Sequence, residues 1–190
     1  KYLQVTNEFC VPHSTAKYTR NRRDSYMVGA LARFNINHDQ LLPLAQKAAR
    51  ELGLKAPCFN PFMITMAQVV EAIHVAEDSL RLIDEIVATG LKKEENGVKV
   101  KAGSGVGAVE APRGILFHDY TYDENGVLTR ANCIIPTNQN HNNIQKDMEG
   151  LVPRILNRPQ DEIRLTLEML VRAYDPCVSC STHMLNVSFR

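Results

Sequence analysis

Cys177-Val178-Ser179-Cys180, followed by His183, sets two thiols three residues apart with an imidazole three residues further on. At that spacing two sulfurs can face one soft metal ion, with the thiolate rather than the thiol as ligand. The pair is only half of a closed tetrahedral zinc site, which takes four protein ligands, and Cys10, Cys58 and Cys133 are scattered singly. It is therefore either redox-active or completed by ligands from outside this chain. A thioredoxin-like dithiol opens a helix after a strand, early in a βαβ unit, whereas this one follows a helical segment. Pro176 disfavours helical geometry at Asp175, so the thiols are expected on a turn. Arg113, between Pro112 and Gly114, read alone is a surface cation or half of a structural ion pair. Asp175 could pair with it or cap the cysteine turn. His118 and His141 read better as structural histidines than as relay or ligand residues.

The elements that must position these residues are mostly helical. The first 23 residues are polar and irregular, with Arg20, Arg22 and Arg23, and are expected to pack poorly. Asp24 can cap a short helix through about Arg33, and Asp39 can start another that stops at Gly53. Asn60 as N-cap, Pro61 at the first helical position and Gly90 at the end predict one long helix over Pro61 to Thr89. Along it Met66, Val69, Ile73, Ala76, Leu80, Ile83 and Val87 step by three and four, the pattern of a core-facing stripe. Its acids Glu71, Glu77, Asp78, Asp84 and Glu85 read as a solvated face.

From Gly97 to Ile135 the period changes to two. The segments from Ile115 to Tyr122 and from Val127 to Ile135 flank Asp123-Glu124-Asn125-Gly126, a hairpin turn signal, so an antiparallel sheet is expected. Gly103-Ser104-Gly105-Val106-Gly107-Ala108 begins like a dinucleotide fingerprint, but lacks the final glycine and a following helix, and is read as a false match. Helical character returns through Asn143 to Leu151 and from Asp161 to Ala173, where Ile163, Leu167 and Leu170 or Val171 form a face. The fold class is α+β: mainly helical, with a long core helix in a bundle and a small antiparallel sheet.

Composition excludes several partner classes. The chain has 190 residues, 44% hydrophobic and 23% charged, as in an ordinary globular domain. A formal charge of +1 without a basic run offers nothing to nucleic acid or an anionic membrane surface. No apolar stretch reaches the roughly 20 residues that span a bilayer, so no membrane insertion is expected, and no signal segment opens the chain. Five cysteines, an odd number, suit a reducing compartment, and the expected location is cytoplasmic.

Asp175-Pro176-Cys177-Val178-Ser179-Cys180-Ser181-Thr182-His183 resembles the C-terminal signature of the large, catalytic subunit of nickel-iron hydrogenases, Asp-Pro-Cys-x-x-Cys-x-x-His. Glu110-Ala111-Pro112-Arg113-Gly114-Ile115-Leu116-Phe117-His118 is similar to the family's active-site arginine loop. Ile134-Ile135-Pro136-Thr137-Asn138-Gln139-Asn140 is similar to its proline-threonine loop, in the same order, and the run from Asp24 to Arg33 also resembles family sequence. The family's other Cys-x-x-Cys, near the N-terminus of the full protein, has no counterpart here, and the chain opens at Lys1 without an initiator methionine. Residues 1–190 are thus read as a single-domain C-terminal fragment, with residues 184–190 a candidate C-terminal extension.

The resemblance implies a nickel-iron centre carrying CO and cyanide on the iron, with Cys177 a terminal nickel ligand and Cys180 bridging the two metals. Arg113 would sit over the open face of the centre, near Asp175. Pro112, Leu116, Ile135, Pro136 and Thr137 would line the diatomic ligands. His183 and the carbonyl of Cys133 would hold a magnesium or iron ion nearby. The implied reaction is reversible heterolytic cleavage of molecular hydrogen to protons and electrons. Implied partners are a maturation protease acting after His183, the N-terminal part of the same large subunit, and an iron-sulfur small subunit. The fragment alone is expected to be inactive. The rival readings are a non-catalytic relative in respiratory complex I, against which the retained Cys177 and Cys180 argue, and a free-standing thiol or zinc-binding module.

Overall fold

The computed structural model describes residues 6–93, 97–178 and 187–188. A hairpin of β1 (Asn7–Val11) and β2 (Ser14–Arg20) comes first, where the sequence suggested irregular chain. Its one fully buried residue, Thr19, is polar, as is Thr6 just before β1, which weakens the apolar alternation. Thr6 and Thr19 are buried and bond the Tyr26 hydroxyl at 2.5 and 3.1 Å, and Tyr26 in turn donates to Gln139 at 3.2 Å.

Three helices follow: α1 (Ala30–Asn37), α2 (Pro43–Glu51) and α3 (Ile64–Thr89). The first starts at Ala30 and is capped by Gly29, not by Asp24 as expected. The second begins at Pro43, with Asp39 in a short 3-10 turn ahead of it, and Gly53 at φ +68 closes it as anticipated. Asn60 caps as expected, its side chain accepting from the Phe62 N–H at 3.1 Å over a 3-10 turn, Pro61–Met63, that leads into α3. Gly90 at φ +75 ends that helix.

The inward face of α3 differs from the expected stripe. Ile64, Ala67 and Val70 are buried, Met66 and Ile73 are half-buried, and Val69, Leu80, Ile83 and Val87 are exposed. Every residue from Ser79 to Thr89 is exposed, so the second half of α3 projects from the bundle. The contact with α1 and α2 passes over the small side chain of Ala67, which sets the buried face there. Two of the acids assigned to solvent do structural work. Glu71 binds Arg33, and the Glu77 carboxylate accepts from the Leu44 and Ala45 N–H groups at the start of α2.

Strands β3 (Gly103–Ala111), β4 (Gly114–Tyr122) and β5 (Leu128–Ile134) form an antiparallel sheet in that order. The glycine run read as a false dinucleotide fingerprint is β3 itself, while Val98 and Val100 lie outside any strand. In the expected turn Asp123 accepts from the Asn125 and Val127 N–H groups, both at 2.9 Å, and Gly126 has φ +78. Two helices complete the fold, α4 (Pro136–Ile155) and α5 (Gln160–Ala173). The former begins earlier than the Asn143 expected, since Pro136 at its first position is preset for a helix.

The main core joins Ala30, Leu31 and Phe34 of α1, Ala45 and Ala49 of α2, and Ile64, Ala67 and Val70 of α3 to Ile144, Leu170 and Tyr174. A second cluster of Ile155, Ile163 and Leu167 holds the far ends of α4 and α5 together, with Val187 packed against it. Among the described residues no helix is long and apolar enough to cross a membrane.

Candidate functional site

The β3–β4 hairpin turns on two residues, Pro112 and Arg113, which places the guanidinium at the tip of a ribbon. Two glycines set where that tip lies. A Cβ on Gly29 would stand 2.7 Å from the Arg113 carbonyl oxygen, and one on Gly114 would run into the Val28 side chain. Val28 is itself fixed by buried Asn140, whose Oδ1 accepts from the Val28 N–H at 2.8 Å and whose amide donates to the Val28 carbonyl at 3.2 Å. Gln139, 1% exposed, donates to the Ile115 and Ile134 carbonyls at 2.6 and 3.4 Å, which ties the sheet to the start of α4. The tip, the start of α4 and the segment before α1 are thus one fitted unit.

The end of α5 approaches from the other side. Tyr174, 4% exposed, donates its hydroxyl to Asp147 at 2.5 Å and accepts from Asn143 at 2.7 Å, both on α4. Burial, and then the Asp147 carboxylate, push that phenol well above its usual range, so it stays a donor. The next residue, Asp175, has φ +48, a left-handed geometry uncommon outside glycine. It leaves the helix as expected before Pro176. Arg113 donates from Nε to the Asp175 carbonyl at 2.6 Å, and from Nη2 to its carboxylate at 3.3 Å. Gln68 of α3 donates to the same carboxylate at 3.2 Å. With both partners some two-fifths exposed, this ion pair adds about 1 kcal/mol or less to stability.

Cys177 comes next, and its N–H donates to the Thr137 hydroxyl at 3.2 Å. Thr137, buried, stands in the first turn of α4, where free N–H groups and the helix dipole favour negative charge. Of the residues singled out in the sequence, the structure therefore joins Arg113 to Asp175 and Thr137 to Cys177. Pro112 flanks the first pair, and half-buried Ile135 and buried Pro136 adjoin the second. Leu116 is half-buried on β4. Cys133 is exposed on β5, with its sulfur 3.6 Å from both the Tyr120 hydroxyl and the His118 ring. His141 is buried against Tyr18, with its Nδ1 lacking a hydrogen-bond partner among the described residues. Cys180 and His183 lie outside the described residues.

Among the described residues no group of three or more His, Cys, Asp or Glu is placed to hold a metal ion. A cavity of about 300 Å³ lies between α1 and α3, lined by Arg33, Glu71 and His74 among others, and is separate from the Arg113–Asp175 pair. Sequence reasoning missed Gln68, Glu71, Gln139 and Asn140. The amide density of Asn138-Gln139-Asn140 after an apolar strand is a signal for the last two; Gln68 and Glu71 have none.

The chain is thus an α+β bundle with a small sheet, an arginine at a hairpin tip and Cys177 held beside the first turn of α4. Residues 12–183 match the nickel-dependent hydrogenase family, and the chain belongs to that family. It is 36% identical over 190 residues to the alpha chain of sulfhydrogenase 1 from Pyrococcus furiosus, covering 98% of this chain and 44% of that protein. It is also 33% identical over 171 residues to the beta chain of the NAD-reducing hydrogenase HoxS from Cupriavidus necator, covering 85% of this chain and 34% of that one. An NAD+-reducing [NiFe]-hydrogenase in the H2-reduced state superposes with a TM-score of 0.80 at 28% identity, over 96% of this chain and 42% of that chain. This chain thus spans less than half the length of these relatives.

Proposed function

We propose that this chain is the C-terminal, metal-binding part of a nickel-iron hydrogenase large subunit. Within the intact enzyme it takes part in reversible heterolytic cleavage of molecular hydrogen to protons and electrons. The observation that carries the reading is the meeting of the Arg113 guanidinium with the Asp175-Pro176-Cys177 turn. It stands in a chain whose family is nickel-dependent.

The donor set suits the group. Cys177 is disulfide-bonded here; once reduced, it and Cys180 would supply soft thiolates of the kind nickel and iron take, and the two sulfurs that four-sulfur ligation still requires would come from the remainder of the large subunit. When bound, the nickel-iron centre supplies the open coordination positions and the electron acceptance that hydrogen cleavage requires. Thr137 holds the Cys177 backbone amide and keeps its own O–H to donate, which suits a hydrogen bond to a cyanide ligand. Pro112, Leu116, Ile135 and Pro136 supply apolar walls that exclude water from CO and cyanide on the iron. Arg113 commits Nε and Nη2 to Asp175, so that Nη1 is left, among the described residues, to position a small molecule. His183 and the Cys133 carbonyl would hold a magnesium or iron ion. Electrons would pass to an iron-sulfur small subunit, in a cytoplasmic enzyme matured by a protease and completed by the rest of the large subunit.

The test is metal analysis with hydrogen-dependent dye reduction on the intact enzyme, on its Cys177→Ser variant and on the 190-residue chain alone. The intact enzyme is expected to hold nickel and turn over, and both the variant and the isolated chain to do neither. One equivalent of zinc and no nickel in the intact protein would replace this reading with a thiol-bound zinc module.

A further inference from the structure

Arg33 spends all five of its N–H donors in one place. Nε and Nη2 grip the two carboxylate oxygens of Glu71, each at 2.6 Å. Nη1 donates to Glu110 at 2.5 Å and to the Ala111 carbonyl at 3.0 Å, and Nη2 also donates to the Pro112 carbonyl at 2.9 Å. Three of these acceptors belong to the tip of the β3–β4 hairpin, Arg33 is on α1, and Glu71 is on α3. One side chain therefore ties the two residues preceding Arg113 to two helices of the core.

The tip has little else to hold it on that side. All of β3 is exposed apart from half-buried Ala111, and among the described residues the strand pairs only with β4. A two-residue turn at the end of such a ribbon could pivot, and its arginine would pivot with it. Against this stand the contact of Gly29 with the Arg113 carbonyl on one flank and the Arg33 fork on the other. Glu71 occupies two of the three guanidinium nitrogens in bidentate geometry, which fixes the plane of the fork and hence the directions of the donors that reach Ala111 and Pro112. The Arg33 side chain is 19% exposed and that of Glu71 29%, so the pair is well shielded from water. Lysine could keep the charge but could not serve four acceptor groups from one plane.

We infer that Arg33, oriented by Glu71, is a positioning residue that holds the Arg113 guanidinium in its working place without touching the reacting atoms. The inference rests on the proposed role of Arg113. If it holds, losing the fork should lower turnover through Arg113, and should matter little once Arg113 is already gone.

The experiment is a double-mutant cycle in the intact hydrogenase holoenzyme, with Arg33→Lys, Arg113→Lys and both together. Nickel content is measured first, then kcat and KM for hydrogen with a dye acceptor. The expected result is full nickel in Arg33→Lys, kcat lower by about 10- to 100-fold with KM for hydrogen unchanged, and a double variant no slower than Arg113→Lys within about twofold. Glu71→Gln, which retains the shape of the side chain but a single acceptor oxygen, should show the same non-additivity at smaller amplitude. If Arg33→Lys fails to retain nickel, the Glu71→Gln cycle decides. Multiplicative losses in the deciding cycle would make Arg33 a general structural residue, and full activity in a nickel-loaded Arg33→Lys enzyme would remove its role altogether. Either result leaves Arg113 in place, whereas full activity of Arg113→Lys itself would overturn the reading on which this inference rests.

Discussion

Replacing Gly29 by alanine tests the fit on which the arginine-bearing tip depends. Gly29 has φ +112 and ψ −164, a region essentially closed to residues with a side chain. Forcing alanine into it costs about 1–3 kcal/mol. The new Cβ would also lie 2.7 Å from the Arg113 carbonyl oxygen and 3.2 Å from its carbon. Ordinary contact begins near 3.4 Å, so the tip would have to withdraw by roughly 0.7 Å. Overpacking of that kind adds about 1–3 kcal/mol, for a total near 4 kcal/mol. For a chain of this size that lowers Tm by about 8–16 °C.

The control is Gly53→Ala. Gly53 also has a positive φ, +68, but a Cβ there meets nothing within 4 Å. Only the backbone preference is lost, about 1–2 kcal/mol. Thermal unfolding followed by circular dichroism on the two variants and the parent separates contact from backbone strain. In the intact enzyme Gly29→Ala should also slow hydrogen oxidation by about 10-fold or more, because a shift of that size misplaces Arg113. Equal Tm losses for Gly29→Ala and Gly53→Ala would refute the claim that the hairpin tip rests on Gly29.

Arg113→Lys in the intact enzyme should bind nickel normally and lose most of its hydrogen oxidation; unchanged dye reduction would leave Arg113 as a surface ion pair. Tyr174→Phe removes one charged and one neutral hydrogen bond at the α5 end, and should destabilise the chain by about 2–4 kcal/mol in a denaturant titration. A loss under about 0.5 kcal/mol would show that packing, not the Asp147 bond, secures that end. Burial lowers the pKa of His141 in the fold, so below the unfolded value of about 6.5 the unfolded chain binds the extra proton. The contribution of neutral His141 is full above that pH and is lost as pH falls through the lowered folded value, and His141→Gln should flatten the fall of Tm in that window. Finally, the mass of the active large subunit from its native host should place its C-terminus at His183, with the residues from Met184 onward removed; an active enzyme that retains them would show that no cut is required.

How far the chain could be read in advance depended on what kind of residue carried each feature. The helix exit at Asp175-Pro176, the Asp123–Gly126 hairpin and the α5 face of Ile163, Leu167 and Leu170 were legible because proline, turn residues and apolar periodicity each have few alternative uses. Strand β3 was not, since Gly103, Gly105 and Gly107 have no side chain with which to show a period of two. The β1–β2 hairpin was hidden for the opposite reason: its one buried residue is Thr19, which with Thr6 just before β1 is satisfied by Tyr26. The inward face of α3 was misjudged because periodicity gives a stripe but not the partner, and beyond Ser79 the described residues offer none.

The same asymmetry divides the site. Residues that would touch a metal or a small molecule are chosen for their chemistry, so Cys177, Arg113 and Asp175 stand out from one sequence. Residues that hold them are chosen for reach and shape, and Arg33, Glu71, Gln139 and Asn140 look like ordinary helix-surface polar groups until the fold joins them. Arg33 lies 80 positions before Arg113 in the chain, yet its donors end on the two carbonyls just ahead of that residue. Gly29 and Gly114 belong with these supports, because what they contribute is the absence of a side chain at the point where two backbones meet. A half-exposed ion pair such as Arg113–Asp175 is too weak to define its own geometry. The direction of the Arg113 guanidinium must therefore come from the backbone beneath it, and that backbone is set by Arg33 on one flank and Gly29 on the other.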